Sequence, residues 1–313
     1  MTGSEVRRSF LDFFASKDHL IVPSAPLVPK DDPTLMFTNA GMVQFKDVFL
    51  GLAEPARPRI ADSQKCLRIS GKHNDLEEVG RDTYHHTLFE MLGNWSFGDY
   101  YKPEAIEWAW QLLTGVWGLP KDRLYASVYR TDEEAEKLWP KITDIAPDRV
   151  LRFDEKDNFW EMGDVGPCGP SSELFWDFGP DLGPDGGPEN PAAEERYVEF
   201  WNLVFTQYFR GPDGELTDLP SKNVDTGAGL ERILGVLADS ASLYAADTLS
   251  VLTDRAQEVT GKTFGNDRLA DIALRLLADH TRTVAFLVSD GVMPSNEERG
   301  YVCLLYTSDA ADE

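Results

Sequence analysis

Residues 221–234, SKNVDTGAGLERIL, set a carboxylate, two glycines and an arginine at a spacing that can hold a charged ligand. Asn223 and Val224 read as the end of a strand, Asp225 follows, and Gly227, Ala228 and Gly229 read as a flexed turn. A helix then opens on Leu230, Glu231 and Arg232. Glycine lets backbone approach a ligand closely and adopts positive φ without a Cβ penalty. A helix N-terminus favours negative charge. The set suits a triphosphate held by Arg232, which sits one turn into the helix, and an amino group held by Asp225. A plain strand-to-helix turn with a surface ion pair would satisfy the same residues.

A second group of candidates lies upstream. Residues 64–69 alternate, with Cys66 and Arg68 on one face and Lys65, Leu67 and Ile69 on the other. A polar connection over 70–85 is too long for a tight hairpin turn, residues 86–91 alternate again, and GNWSFGDYYK reads as a turn. Long polar loops on rigid strands are where binding groups concentrate. Arg68, Lys72, His73, Arg81, His85 and His86 gather positive potential here, although Arg68 could simply pair with Glu90. Adjacent histidines on a strand point to opposite faces, so at most one of His85 and His86 faces a ligand. Trp160, among Gly163, Gly166 and Gly169, could stack on a flat base or fill a core. Asn202 is the conspicuous polar residue of an apolar-aromatic strand over 197–209, and such a group needs a partner in protein or ligand.

The positioning elements follow from periodicity. Val6, Phe10, Leu11, Phe13 and Phe14 form the stripe of an N-terminal helix over 6–16. Prolines 23, 26, 29 and 33 force extended or turn geometry. Leu35, Met36 and Phe37 read as a short strand, and 39–42 as a turn, with Met42 and Phe45 as core candidates. Residues 103–113 form a packing helix with Pro103 at its first position and Ile106, Trp110 and Leu113 on one face. Residues 124–129 read as a strand and 132–139 as a charged surface helix. Residues 181–195 are Gly, Pro and acid without periodicity, an exposed mobile insertion. Residues 268–289 form an amphipathic helix burying Ile272, Leu276, Val284 and Leu287, and 290–302 turn into a further element.

Length and composition limit the class. The chain has 313 residues, 42% of them hydrophobic and 11% aromatic, enough for a large core and about two domains. No apolar run approaches the roughly 20 residues of a membrane span, and residues 1–10 are too polar for a signal segment, so a cytoplasmic protein with no membrane partner is expected. Cys66, Cys168 and Cys303 are widely spaced and odd in number, which argues against a disulfide framework or a cysteine-held metal. The net charge of −24, from 54 acidic and 30 basic residues, argues against non-specific nucleic-acid binding by the whole surface. A phosphate ligand must be met by local cations.

Six strings in order, DPTLMFTNAGMVQFKDVFLG, GKHNDLEEVGRDTYHHTLFEMLGNWSFGDYYK, DNFWEMGDVGPCGP, EFWNLVFTQ, VDTGAGLERI and DGVMPSNEERGYV, resemble the class II aminoacyl-tRNA synthetases. Within that class they are similar to the alanyl-tRNA synthetase family. The resemblance spans about residues 4–302. It implies an α+β fold: a class II synthetase-like antiparallel sheet flanked by helices, followed by the start of an all-α domain. Residues 1–237 would be the aminoacylation catalytic domain and 238–302 the start of a helical tRNA-recognition domain. Residues 303–313 depart from the basic helix of the family and read as a non-native tail. The implied reaction is ATP-dependent activation of L-alanine to its adenylate and transfer to tRNA(Ala), with ATP and Mg2+ as cofactors. The family's zinc site belongs to an editing domain outside this sequence.

The resemblance also implies roles. Arg68 would meet the α-phosphate and the substrate carboxylate, and Arg232 the γ-phosphate, as the catalytic pair. His86, Trp160 and Gly229 would complete the ATP site. Met42, Asn202, Val204, Asp225 and Gly227 would line the alanine pocket, with Asp225 on the α-ammonium. An amino-acid carboxylate is already a nucleophile at neutral pH, so the site needs charge stabilisation and alignment rather than a general base. A tRNA-independent amino-acid ligase on the same fold, and a synthetase-like regulatory or RNA-binding module, are the competing expectations. The module predicts broken motifs, whereas Arg68, Asp225 and Arg232 are all present.

Overall fold

A computed structural model of the chain describes residues 1–30, 35–70, 73–74, 76, 78–163 and 165–312. The strands are β1 (Leu20–Ile21), β2 (Arg59–Leu67), β3 (Ile69–Ser70), β4 (His73–Asn74), β5 (Leu88–Phe97), β6 (Leu124–Tyr129), β7 (Val150–Phe153), β8 (Phe159–Glu161), β9 (Gly166–Asp177), β10 (Tyr197–Arg210) and β11 (Leu216–Gly229). The helices are α1 (Gly3–Ala15), α2 (Lys46–Phe49), α3 (Lys102–Trp110), α4 (Glu133–Ile142), α5 (Glu155–Asn158), α6 (Leu230–Ala238), α7 (Asp247–Thr260), α8 (Arg268–Ser289) and α9 (Glu298–Asp312).

One sheet runs in the order β1-β2-β5-β11-β10-β9-β6-β7, with β8 paired to β9. Its centre is antiparallel, as expected, but the β1–β2 and β6–β7 pairs at its two ends are parallel. Strand alternation divides the central residues between two faces. Leu92, Leu174, Trp201, Leu203, Phe205, Val224 and Ala228 face a core completed by α1, α3 and α6. Val6, Phe10 and Phe14 of α1 are buried there, whereas Leu11 and Phe13 only border it. Each such large side chain contributes about 1.5–3 kcal/mol on burial, which pins α1 and α6 behind the sheet. The opposite face of the same strands is left to line a cavity.

Several local expectations change in the fold. The segment GNWSF is strand rather than turn, because β5 is bonded on both sides, to β2 and β11, as far as Phe97. The segment DTGAG is likewise strand: β11 runs to Gly229 and α6 begins at the next residue. Leu35, Met36 and Phe37 are not strand, and the last two form a bend, since the backbone bonds of that stretch collect at Thr38, which donates to Leu27 and accepts from Leu67. The charged α4 also buries Trp139, whose indole donates to Ser172 Oγ at 2.8 Å. In the acidic insertion Ala193 is buried, and Arg196 reaches back to the Gly183 carbonyl and to Asp185. Of the upstream cationic group, Lys72 and the His73 side chain lie outside the described residues, and Arg81 is exposed.

The 268–289 helix has the expected limits, and α8 and α9 dock on the outer ends of β2 and β5. Leu287, Val292, Val302, Cys303 and Tyr306 pack there against Leu27, Phe37, Leu67 and Leu88. Leu276 and Leu287 are buried, while Ile272 and Val284 remain partly exposed. The stretch read as a foreign tail thus continues α9 and buries Cys303 and Tyr306.

Candidate active site

The cavity on the open face of the sheet has a volume of about 360 Å³. All ten sequence candidates line it: Met42, Arg68, His86, Trp160, Asn202, Val204, Asp225, Gly227, Gly229 and Arg232. Register explains the convergence. Asn202 lies between Glu173 on β9 and Gly227 on β11, and Val204 lies beside Asp225, which in turn pairs with Trp95 of β5. Residues 225, 227 and 229 therefore project from one side of β11, opposite Val224 and Ala228 in the core.

Neither Gly227 nor Gly229 has positive φ, and only Gly227 is needed for space. A Cβ on Gly227 would lie 2.7 Å from the sulfur of Met91, so any larger residue would push Met91 or close the cavity floor. At Gly229 a Cβ would only touch the Arg232 side chain, at 3.4 Å.

Asp225 is buried and its Oδ1 accepts from the Trp95 indole at 2.7 Å. Burial raises its pKa to about 7, against the opposing pull of the Trp95 hydrogen bond. Beneath it, the fully buried Asp62 is held well above the usual carboxylate range by burial and by the charge of Asp225. Gln44 Nε2 donates to Asp62 Oδ2 at 2.6 Å. The result is a buried carboxyl at the cavity floor whose ionised form an ammonium group would stabilise.

The cations stand at the other end. Arg68 sits in the break between β2 and β3, with its guanidinium 5.0 Å from the Phe89 ring centre and Nε donating to the Asn39 carbonyl at 3.1 Å. The Arg68–Glu90 pair does not form, because Glu90 is taken by Arg7 from α1 at 2.6 Å. Arg232 donates through Nη1 to the Glu199 carbonyl and to Glu199 Oε2, at 2.6 and 2.9 Å. His85 and His86 both line the cavity, contrary to the one-face expectation, because they precede β5 and strand alternation does not govern them. His85 Nδ1 bonds Asp82 at 2.5 Å. The buried His86 packs edge-on against Tyr244, with Nδ1 3.6 Å from Asp279 of α8. Burial alone would raise the Asp279 pKa, but His280 and His86 outweigh it and hold that carboxyl well below its ordinary value.

Sequence reasoning missed two carboxylates, Glu173 and Glu199, which also line the cavity. Glu173 accepts from Asn202 Nδ2 at 3.0 Å, so the partner that Asn202 requires is protein on one side. Its Oδ1 is buried without a partner among the described residues. Burial, and then the charge of Glu199, push the Glu173 carboxyl well above its usual range. Two like carboxylates crowded beside an arginine form a hard oxygen donor set that a divalent cation relieves, and magnesium is commonly held by one or two carboxylates plus phosphate oxygens. Glu173 and Glu199 thus supply donors of the type magnesium uses, while no group of three or more such ligands occurs among the described residues. The signal was faint: Glu173 shares its strand face with Ser171 and Phe175, and nothing local marks it. Trp95 was hidden in a stretch read as turn.

The sequence pattern of the family described as tRNA synthetases class II (A) matches residues 5–305. The chain is similar to the alanine--tRNA ligase of Chlorobium luteolum, 60% identical over 304 residues, covering 96% of this chain and 34% of that protein. The corresponding ligase of Chlorobaculum tepidum is also 60% identical over 304 residues, with the same coverage. That of Cytophaga hutchinsonii is 54% identical over 313 residues, 96% of this chain and 36% of that protein. The chain thus spans about a third of the length of these relatives. With its motif arginines gathered on one face of an antiparallel sheet and its whole length but the ends matched, the chain belongs to the class II tRNA synthetases.

Proposed function

We propose that the cavity joins L-alanine to ATP and passes the alanyl group to tRNA(Ala), as an alanine–tRNA ligase. The observation that carries this reading is the opposed arrangement in one cavity of a buried acid, Asp225, and two arginines, Arg68 and Arg232. Asp225 holds the α-ammonium, over a floor of Gly227, Met42, Val204 and Asn202 that leaves room for a small side chain. Arg68 bridges the substrate carboxylate and the α-phosphate, and Arg232, leaving Glu199, takes the γ-phosphate. His86, Trp160 and Gly229 border the nucleotide. Glu173 and Glu199 would hold magnesium, which supplies charge neutralisation on the phosphates.

The alanine carboxylate oxygen attacks the α-phosphorus, the bond to the α,β-bridging oxygen breaks, and pyrophosphate leaves with that electron pair. No proton moves, which accounts for a site built of fixed charges rather than an acid–base dyad. In the second step a terminal ribose hydroxyl of the tRNA attacks the alanyl carbonyl carbon and gives its proton to solvent, the bond from that carbon to the phosphate oxygen breaks, and AMP leaves with the electron pair.

The division at residues 237/238 belongs to the same proposal, with 1–237 performing the activation and 238–302 beginning a helical tRNA-side region. Among the described residues no helix is long and apolar enough to cross a membrane; a cytoplasmic location is part of the reading. Amino-acid-dependent ATP–pyrophosphate exchange across the common amino acids tests it. Exchange should be greatest with alanine, and its absence with alanine, or a clear preference for a larger amino acid, would reject the assignment.

A further inference from the structure

The inner side of α8 carries charge where its amphipathic pattern calls for apolar residues. Asp279, His280, Arg282 and Thr283 are all buried. His280 bonds Asp279 and stacks on Tyr306 of α9, whereas Asp279, Arg282 and Thr283 reach residues at the edge of the cavity. Asp279 accepts from the Thr87 backbone N–H at 3.0 Å and from the Thr87 hydroxyl, and lies against His86. Arg282 donates to Glu231 Oε1 at 2.7 Å and to the Leu88 carbonyl. Glu231 Oε2 in turn accepts from the Glu90 backbone N–H at 3.2 Å. Glu231 precedes Arg232 in the first turn of α6, and both border the cavity, as does His86.

Burying these ions costs free energy that an apolar contact of equal volume would not, and their attraction repays it only with good geometry. Apolar packing was available, since the C-terminal end of α8 buries Leu287 in one apolar cluster with Val292 and with Val302 of α9. What the charged contact adds is direction: a guanidinium fork fixes a carboxylate in angle as well as distance.

We infer that Asp279 and Arg282 of α8 are positioning residues for the nucleotide end of the cavity, Arg282 acting through Glu231 on Arg232 and Asp279 through His86. The inference rests on reading that end of the cavity as the ATP site. It makes α8, which lies in the region assigned to tRNA, a structural part of the phosphate site, so displacement of α8 alters nucleotide affinity before it alters amino-acid affinity.

The test is calorimetric titration of the full chain with MgATP and, separately, with alanine. The variants are Arg282→Met, Asp279→Asn and the double variant Arg282→Met/Glu231→Gln, each checked by circular dichroism and thermal melting. Asp279→Asn keeps an acceptor for the Thr87 N–H, and the double variant leaves no unpaired buried charge, so these two report even where Arg282→Met alone does not fold. Each folded variant should bind MgATP about tenfold more weakly or worse, with alanine affinity within about twofold of the unaltered chain. Arg282→Lys should recover only part of the loss, because the fork is gone. MgATP affinity unchanged in the folded variants, parallel loss of both ligands, or no MgATP binding by the unaltered chain would each overturn the inference. Alanine-dependent exchange by the unaltered chain tests the ligase reading separately, so the two can fail independently.

Discussion

Asp225 offers the most direct test of the amino-acid site, because its environment makes ligand affinity depend on pH. Its carboxyl is buried against Trp95 and titrates near pH 7 rather than near 3.8. An ammonium ligand binds the ionised form, so the apparent dissociation constant rises as that form is depleted. The fraction ionised is about one in eleven at pH 6 and about nine in ten at pH 8, so alanine should bind about tenfold more tightly at pH 8. Asp225→Asn keeps the shape and an acceptor for the Trp95 indole but removes the charge. Alanine affinity at pH 8 should fall about 10- to 100-fold, the scale of a charged hydrogen bond, and lose its pH dependence, while MgATP affinity stays within about twofold.

Stability should move the other way. A carboxyl whose folded pKa is raised stabilises the fold fully below its unfolded value and loses that contribution as pH rises through its folded value. From 3.8 to about 7 this amounts to about 4 kcal/mol, charged against the free protein at pH 8. The Asn variant should therefore melt higher than the unaltered chain at pH 8, and the difference should vanish below about pH 4. Titration calorimetry at pH 6, 7 and 8 with parallel melting curves measures both effects. Alanine affinity that is flat from pH 6 to 8, or an Asn variant that retains full affinity, would refute the reasoning.

Arg68→Ala should lower alanine-dependent pyrophosphate exchange on the order of a hundredfold, and Arg68→Lys should recover little, since the planar fork is lost; near-normal exchange in the Ala variant would remove Arg68 from the phosphate. His19 is buried with Nε2 3.0 Å from the Tyr100 hydroxyl, and burial lowers its pKa from 6.5 to about 4. Its contribution is present above pH 6.5 and is lost as pH falls toward 4, so chemical denaturation at pH 5 should show about 2 kcal/mol less stability than at pH 7 from this group, a slope that His19→Gln should reduce. Replacing residues 181–195 with a Gly/Ser linker removes the burial of Ala193 and the Asp185–Arg196 pair, and should lower the melting temperature by about 2–5 °C without unfolding the chain. Glycine lacks only a methyl group, so exchange with glycine should be weaker than with alanine by roughly 10- to 200-fold, and discrimination far beyond that would require a contact not identified in the cavity.

The sequence by itself determined the parts whose signals are local. The apolar-aromatic run of 197–209 marked β10 with Asn202 as its conspicuous polar residue, and the apolar stripe of 268–289 matched α8 at both ends. Asp225, Arg68 and Arg232 stood out because charge in or beside apolar strands must be accounted for. Tertiary structure alone decided which distant segments meet. Asp225 and Trp95 are 130 residues apart, and Arg282 and Glu231 are 51 apart. Whether DTGAG is turn or strand depended on β5 and β10 lying on either side of it, since a glycine-rich segment has little preference of its own and takes the conformation its neighbours' hydrogen bonds complete. The same holds for His85 and His86, whose shared direction follows from where β5 begins, and for Glu173 and Glu199, which become a pair only when β9 and β10 align. Periodicity encodes burial along one element, whereas the field inside the cavity is a sum over elements that only the folded chain brings together.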